Sequence, residues 1–215
     1  MEQEKQKVGS LPSIRRLPVY LRLLKNISDE GRDMISSTHI AAILKVDPIQ
    51  VRKDLSITGI VGKPKIGYYV PTLIGAIEKF LGWDKSAEAF LVGAGNLGSA
   101  LLGYDGFKQH GLDIIAAFDT DKSKIGTQIH GRDVLPLDKL PAMVDRMHVL
   151  TGIIAAPVEV AQSVADTMVA SGIIAIWNFA PVKLDTPKHV VVQNEDLAAG
   201  LAVLCVKAAK ARSNG

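Results

Sequence analysis

Six residues, Gly93-Ala94-Gly95-Asn96-Leu97-Gly98, constrain this chain more than any other stretch. They follow a short apolar run, Phe90-Leu91-Val92, that reads as a buried strand, and they precede Ser99-Ala100-Leu101-Leu102, which reads as helix. In that setting each glycine has its own task. Gly93 permits a tight turn, Gly95 lets a pyrophosphate approach the backbone, and Gly98 allows the helix to pack closely on the strand. The helix N-terminus adds oriented N–H donors. A second apolar strand, residues 114–118, ends in Asp119, 21 residues beyond Gly98. An acid there can accept hydrogen bonds from both hydroxyls of an adenosine ribose and repels a 2′-phosphate, so NAD is favoured over NADP. Nearby Lys122 and Lys124 weaken that preference slightly. Gly93, Ala94, Gly95, Asn96, Leu97, Gly98 and Asp119 are therefore the first cofactor-binding candidates.

Alternation of strand and helix continues downstream and predicts an α/β fold with a mostly parallel sheet. Residues 137–146 read as helix, 149–155 as strand, 158–171 as helix, 173–177 as strand and 190–193 as a last strand. Ala156-Pro157 and Asn178-Phe179-Ala180-Pro181 each follow a strand, at the carboxyl edge where open α/β sheets bind ligands. Ala156, Pro157, Phe179, Ala180 and Pro181 join the cofactor candidates, with plain strand-ending turns as the alternative. Gly152, inside a predicted strand, has no account at this level. The last segment, residues 196–212, is a helix that is apolar almost all round. One sheet face covers only one side of such a helix, so a second subunit is expected on the other.

The first third has a different texture. Ile14, Leu17, Tyr20, Leu21 and Leu24 recur at helical spacing and predict an amphipathic helix over residues 13–27, with Pro18 as a possible interruption. Ser37 reads as the N-cap of a short second helix. Asp47 as N-cap and Pro48 at the first position open a third, residues 48–56. Val51 and Leu55 face inward there, leaving Gln50, Arg52 and Lys53 outward. Residues 60–70 then read as a hairpin whose turn carries Lys63 and Lys65. Helix, turn, helix and basic wing in that order make a winged helix-turn-helix that enters a major groove. The candidate DNA contacts are Gln50, Arg52, Lys53, Lys63, Lys65 and, on the first helix, Arg16. A helical packing module with solvated lysines is the alternative.

Charge follows the same division. Residues 1–82 carry 13 Lys and Arg against 8 Asp and Glu, whereas residues 83–215 carry 12 against 14. The boundaries expected are a winged-helix domain over 1–82, a Rossmann domain over 83–195 and a C-terminal dimerisation helix over 196–215. No apolar run approaches the roughly 20 residues a membrane span needs, and residues 1–10 are charged, so no signal peptide or span is expected. The single cysteine, Cys205, excludes an internal disulfide and is expected to be buried and inert; the cytoplasm fits best. The five histidines are scattered, and no catalytic residue and no metal site is expected. About 110 residues build the nucleotide fold, which leaves little chain for a substrate domain. That disfavours an NAD-dependent oxidoreductase with a helical appendage; a CoA- or nucleotide-binding subunit is the remaining alternative.

Taken together, these residues resemble the Rex family of redox-sensing transcriptional repressors. The resemblance runs from Ile14 to about Val206 and rests on Gln50-Val51-Arg52-Lys53-Asp54-Leu55-Ser56, Gly67-Tyr68, the Gly93 to Gly98 loop, Tyr104 with Gly106-Phe107, Phe118-Asp119, Asn178-Phe179-Ala180-Pro181 and Asp196 with Gly200-Leu201. It implies a homodimer with the C-terminal helix exchanged between subunits, competitive binding of NADH and NAD⁺, and operator DNA held until NADH releases it. It also implies switch roles for Tyr104 and Asp196, the latter meeting Arg22 of the winged helix. Ile57-Thr58 stands where many members carry an aromatic pair, and Lys65-Ile66 where a small residue and valine are common. These departures bear on operator preference.

Overall fold

A computed structural model describes residues 9–213. The chain divides between Lys85 and Ser86 into two compact units. Residues 1–8 and 214–215, and with them the charged start of the chain and the end of the expected C-terminal segment, lie outside the described residues.

The first unit runs α1 (Leu11–Asp29), β1 (Met34–Ile35), α2 (Ser37–Leu44), α3 (Pro48–Ser56), β2 (Tyr68–Tyr69) and α4 (Val70–Leu81). Leu17, Tyr20, Leu21, Leu24 and Ile27 put one stripe of α1 into a core shared with Ile40, Val51, Leu55, Leu73 and Ile77. Helix α1 passes through Pro18 without ending. Buried side chains on both sides of the proline hold the helix against a cost of about 3 kcal/mol for an interior proline. Two local expectations change. Ser36, not Ser37, caps α2, its hydroxyl accepting the His39 N–H at 3.1 Å. The wing is a tight turn closed by a Lys63–Gly67 bridge, and β2 pairs antiparallel with β1 rather than with residues 60–62. Gly67, at φ +97°, explains that choice: a Cβ there would run into the Ile35 carbonyl, so only glycine lets the wing return this close to β1.

The second unit runs β3 (Ala87–Val92), α5 (Asn96–Leu102), α6 (Gly106–Gln109), β4 (Leu112–Asp119), β5 (Gln128–Ile129), β6 (Arg132–Pro136), a 3₁₀ turn (Leu137–Lys139), α7 (Leu140–Met147), β7 (Thr151–Ile154), α8 (Val158–Ala170), β8 (Ala175–Asn178), β9 (Val191–Asn194) and α9 (Leu197–Ser213). The sheet order is β5-β6-β4-β3-β7-β8-β9, with every pair parallel except β5 with β6. Read from the first parallel strand, this is the doubly wound order 3-2-1-4-5-6, whose direction reverses between β3 and β7.

Strand β6 was not anticipated, because Arg132-Asp133-Val134-Leu135-Pro136 buries only Val134 fully and so lacks a strand's alternation. It is held by pairing with β4 and by a two-residue turn at His130-Gly131, both with positive φ. Gly152 now has an account. A Cβ on it would lie 2.5 Å from the Met168 sulfur, so α8 seats on β7 only because that strand position is bare.

Helix α9 is exposed from Ala198 onward except at the half-buried Ala208, with Leu201, Val203, Leu204 and Val206 each more than half exposed, and Cys205 is exposed rather than buried. The expectation of a covered thiol does not hold for the single chain, because among the described residues no part of the fold covers it. Among the described residues no helix is long and apolar enough to cross a membrane.

Candidate nucleotide cleft and nucleic-acid interface

At the end of β3 the chain turns through Gly93, whose N–H donates to the Phe118 carbonyl at 2.8 Å. Gly93 has φ +100°, and a Cβ on it would sit 2.7 Å from the Ala155 carbonyl. Gly98 meets the Gly93 carbonyl so closely that a side chain cannot fit. Gly95 differs from both, since nothing lies within 4 Å of where its Cβ would be. The first and third glycines thus let backbone meet backbone, and the second leaves room for a ligand beside the start of α5.

The loop opens into a cleft of about 720 Å³, within the range for small-molecule sites. Gly93, Gly95, Leu97 and Asp119 line one side, and Ala156, Pro157, Phe179, Ala180 and Pro181 line the other. Ala94 and Gly98 are buried beneath the loop, and Asn96 is exposed at the first turn of α5. Sequence reasoning missed the contribution of α8, where Val160, Ser163 and Val164 face the cleft. Their three- and four-residue spacing, directly after Ala156-Pro157, was the available signal.

Asp119 is tied down. Its carboxylate accepts the Ala94 N–H at 2.8 Å and the Asp121 N–H at 2.9 Å, and Lys124 Nζ stands 3.2 Å away. Burial pushes its pKa up, but those hydrogen bonds and the Lys124 charge outweigh it and hold the carboxyl below its ordinary value. Lys124 also lines the cleft, so it stands closer to any nucleotide than the sequence suggested, while Lys122 is exposed. Asn178 is wholly buried at the end of β8. Its side-chain N–H groups donate to the carbonyls of Ala180 and Val182 and to Asn194 Oδ1, and its Oδ1 accepts the Ala180 N–H. One amide therefore shapes the Phe179-Ala180-Pro181 loop and stitches it to the end of β9.

In the first unit, Asp47 Oδ1 caps α3 by accepting the Ile49 N–H, while Val51 and Leu55 are fully buried. Arg52 and Lys53 are exposed on that helix. Arg52 borders a groove of about 550 Å³ whose other walls are the start of α2 and the wing with Lys63 and Lys65. Gln50 and Arg16 are placed differently from the expectation. Both bind Asp54, which is wholly buried: Arg16 through Nε and Nη2 at 2.5 and 2.7 Å, Gln50 at 2.8 Å, with the Tyr20 hydroxyl donating at 2.6 Å. Burial alone would raise the Asp54 pKa, but the donors surrounding it hold it at about 2. The buried acid thus fastens α3 to α1, and a paired guanidinium has less freedom to bind phosphate.

Tyr104 is 58% exposed. Asp196 is exposed and caps the start of α9 by accepting the Ala198 N–H at 2.9 Å, and Arg22 is exposed on α1.

Two family models match the chain, one described as a putative DNA-binding protein N-terminus over residues 10–56 and one as a CoA binding domain over residues 84–182. Neither covers half of the chain. A redox-sensing transcriptional repressor Rex from Treponema denticola is 54% identical over 202 residues, spanning 94% of this chain and 96% of its own length. The chain belongs to the Rex family of redox-sensing transcriptional repressors. Bacteroides fragilis Rex is 42% identical over 193 residues, covering 90% of this chain and 88% of its own. Among solved structures, the Rex-family repressor RSP superposes with a TM-score of 0.86 at 31% identity, over 96% of both chains. RSP in complex with β-NAD⁺ and operator DNA gives 0.89 at 32% identity over 96% of this chain and 95% of that one. RSP with β-NADH gives 0.85 at 32% identity over 96% and 97%. Membership in Rex accounts for both units at once. The oxidoreductase reading left the first unit as a mere appendage, and the CoA-binding reading addressed only the second.

Proposed function

We propose that two copies of this chain hold operator DNA through α3 and the wing, that NAD⁺ and NADH compete for the cleft at the β3/β7 crossover, and that NADH releases the DNA. The likeness to RSP, solved with operator DNA and with each nucleotide, across almost the whole chain carries this reading. Gly95 leaves space for a pyrophosphate beside the start of α5, and Asp119 stands ready for the adenosine ribose. Arg52 and Lys53 reach the major groove, and Lys63 and Lys65 the adjoining phosphates. Arg16 and Gln50 act through Asp54, fixing the angle at which α3 is presented. The exposed apolar length of α9 packs on the second copy, covering surface that a lone chain leaves in water. As a regulator of operators the protein works with the chromosome, in the cytoplasm, and turns over no substrate.

The two forms of the nucleotide differ in charge, because the oxidised nicotinamide ring is cationic and the reduced ring neutral. A conformational shift needs differential affinity for two states. A hundredfold preference of NADH for the released dimer corresponds to about 2.7 kcal/mol. Tyr104 and Asp196 are the groups assigned to the change, with Arg22 holding the DNA-bound arrangement. Gel-shift titration of an operator complex with NADH tests the reading. Wild type should release DNA, whereas Tyr104→Phe and Asp196→Ala should bind NADH and release poorly. Release curves that overlay for all three proteins would remove both residues from the switch.

Cofactor choice has its own expected result. Asp119→Ala should weaken NADH binding about tenfold, the loss expected when a charged acceptor of ribose hydroxyls is removed. The same change leaves Lys124 without its carboxylate and free to meet a 2′-phosphate, so the preference for NADH over NADPH should shrink. Calorimetric titration of both nucleotides checks this, and a wild type with equal affinity for the two would contradict the assignment.

A further inference from the structure

The geometry points to Trp177 as the residue that positions the root of α9 in response to what occupies the nucleotide cleft. The inference rests on the reading of that cleft as a nicotinamide-nucleotide site. Trp177 is the penultimate residue of β8, and three connections meet on its indole. Phe179, which lines the cleft, packs against it with ring centroids 4.9 Å apart. Phe107 meets it nearly edge-on at 5.3 Å, and Phe107 in turn holds Tyr104 at 4.8 Å in the same T-shaped manner. The indole Nε1–H donates to Glu195 Oε1 at 3.1 Å. Glu195 is the residue before Asp196, which caps α9.

Each connection has a physical reason. Edge-to-face ring pairs resist sliding because the positive rim of one ring seeks the negative face of the other. A half-buried indole N–H must find an acceptor, and a carboxylate makes the stronger, charge-assisted bond. Glu195 is anchored a second time through its backbone N–H on the Asn178 carbonyl at 2.8 Å. A ligand that moves Phe179 therefore presses on Trp177, whose indole is also in contact with Phe107. The motion leaves through the indole N–H to Glu195 and the start of α9, and through Phe107 to Tyr104. The two switch residues named above are otherwise far apart in sequence, and this ring set is a contiguous connection between them.

The test separates coupling from binding in the full-length protein. The ratio of NADH affinities measured without and with operator DNA is the coupling itself. In Trp177→Phe, which keeps a ring but loses the N–H, that ratio should fall about tenfold, in line with the loss of one hydrogen bond to a carboxylate. NADH affinity without DNA should stay within about twofold, as should operator affinity without NADH. Glu195→Leu, which removes the acceptor, should reproduce this result, and Glu195→Gln, which retains an acceptor oxygen without its charge, should fall between Glu195→Leu and wild type. A Trp177→Phe ratio equal to wild type overturns the inference. So does a loss of NADH affinity without DNA as large as the loss of coupling, since that describes a pocket residue only. A wild-type operator complex that NADH leaves intact overturns the reading of the cleft and this inference with it, and shows in the same titration before any variant is compared.

Discussion

Replacing Arg52 and Lys53 together by alanine should lower operator affinity about a hundredfold while leaving NADH binding unchanged, since a residue that reads a base is worth about 1–3 kcal/mol and one that holds a phosphate adds a salt-dependent loss. Both side chains are exposed on α3, and the buried face of that helix, Val51, Asp54 and Leu55, does not involve them. The double variant should therefore fold, which circular dichroism and NADH titration can show independently. Salt separates the two kinds of contact. If one of the pair binds phosphate, the dependence of affinity on salt concentration becomes shallower in that single variant; if it reads a base, the loss falls mainly on the cognate sequence. Undiminished operator affinity in the folded double variant would remove α3 from the groove.

Asp54→Ala should destabilise the first unit by about 3 kcal/mol, the scale for removing one partner of a buried ion pair. The Arg16 guanidinium, the Tyr20 hydroxyl and the Gln50 amide all lose this acceptor at once. Folding lowers the Asp54 pKa from an ordinary 3.8 to about 2. A depressed acid stabilises the native state above its unfolded pKa, so the contribution is complete at neutral pH and disappears as the pH falls from about 4 through 2. Wild type should thus lose stability steeply over that interval, and Asp54→Ala should show a flatter acid limb. Urea unfolding at a series of pH values measures both. Equal neutral-pH stability of the two proteins would show that the network contributes nothing net. Operator binding should also weaken in the variant although Asp54 touches no DNA, because α3 loses its fastening to α1.

The parts of this protein legible from its sequence are those in which cause and effect lie within one turn or one strand. Asp47-Pro48 starts α3 because a capping carboxylate and a fixed φ act on their own neighbours. Gly93 and Gly98 announce their turn because backbone nearby or on an adjoining strand requires each absent side chain, while Gly95 between them leaves open space. Asp119 could be placed because the doubly wound fold sets a nearly constant distance in sequence from the glycine loop to the end of the second strand.

What the sequence left open was decided by groups distant along the chain. Arg16 meets Asp54 across 38 residues, a pairing that no local pattern in the sequence announces. Met168 fills the space above Gly152, which accounts for a glycine that strand propensity disfavours. β6 exists because β4 offers it a ladder, and its own pattern of burial would not have revealed it. Asn178 and Asn194, and Trp177 and Glu195, are ordinary strand-end residues until β8 and β9 lie side by side. Hydrophobic periodicity and capping are local and survive in a string of letters. Hydrogen-bond partners and packing depth are pairwise and non-local, so they acquire values only when the sheet order brings the pairs together.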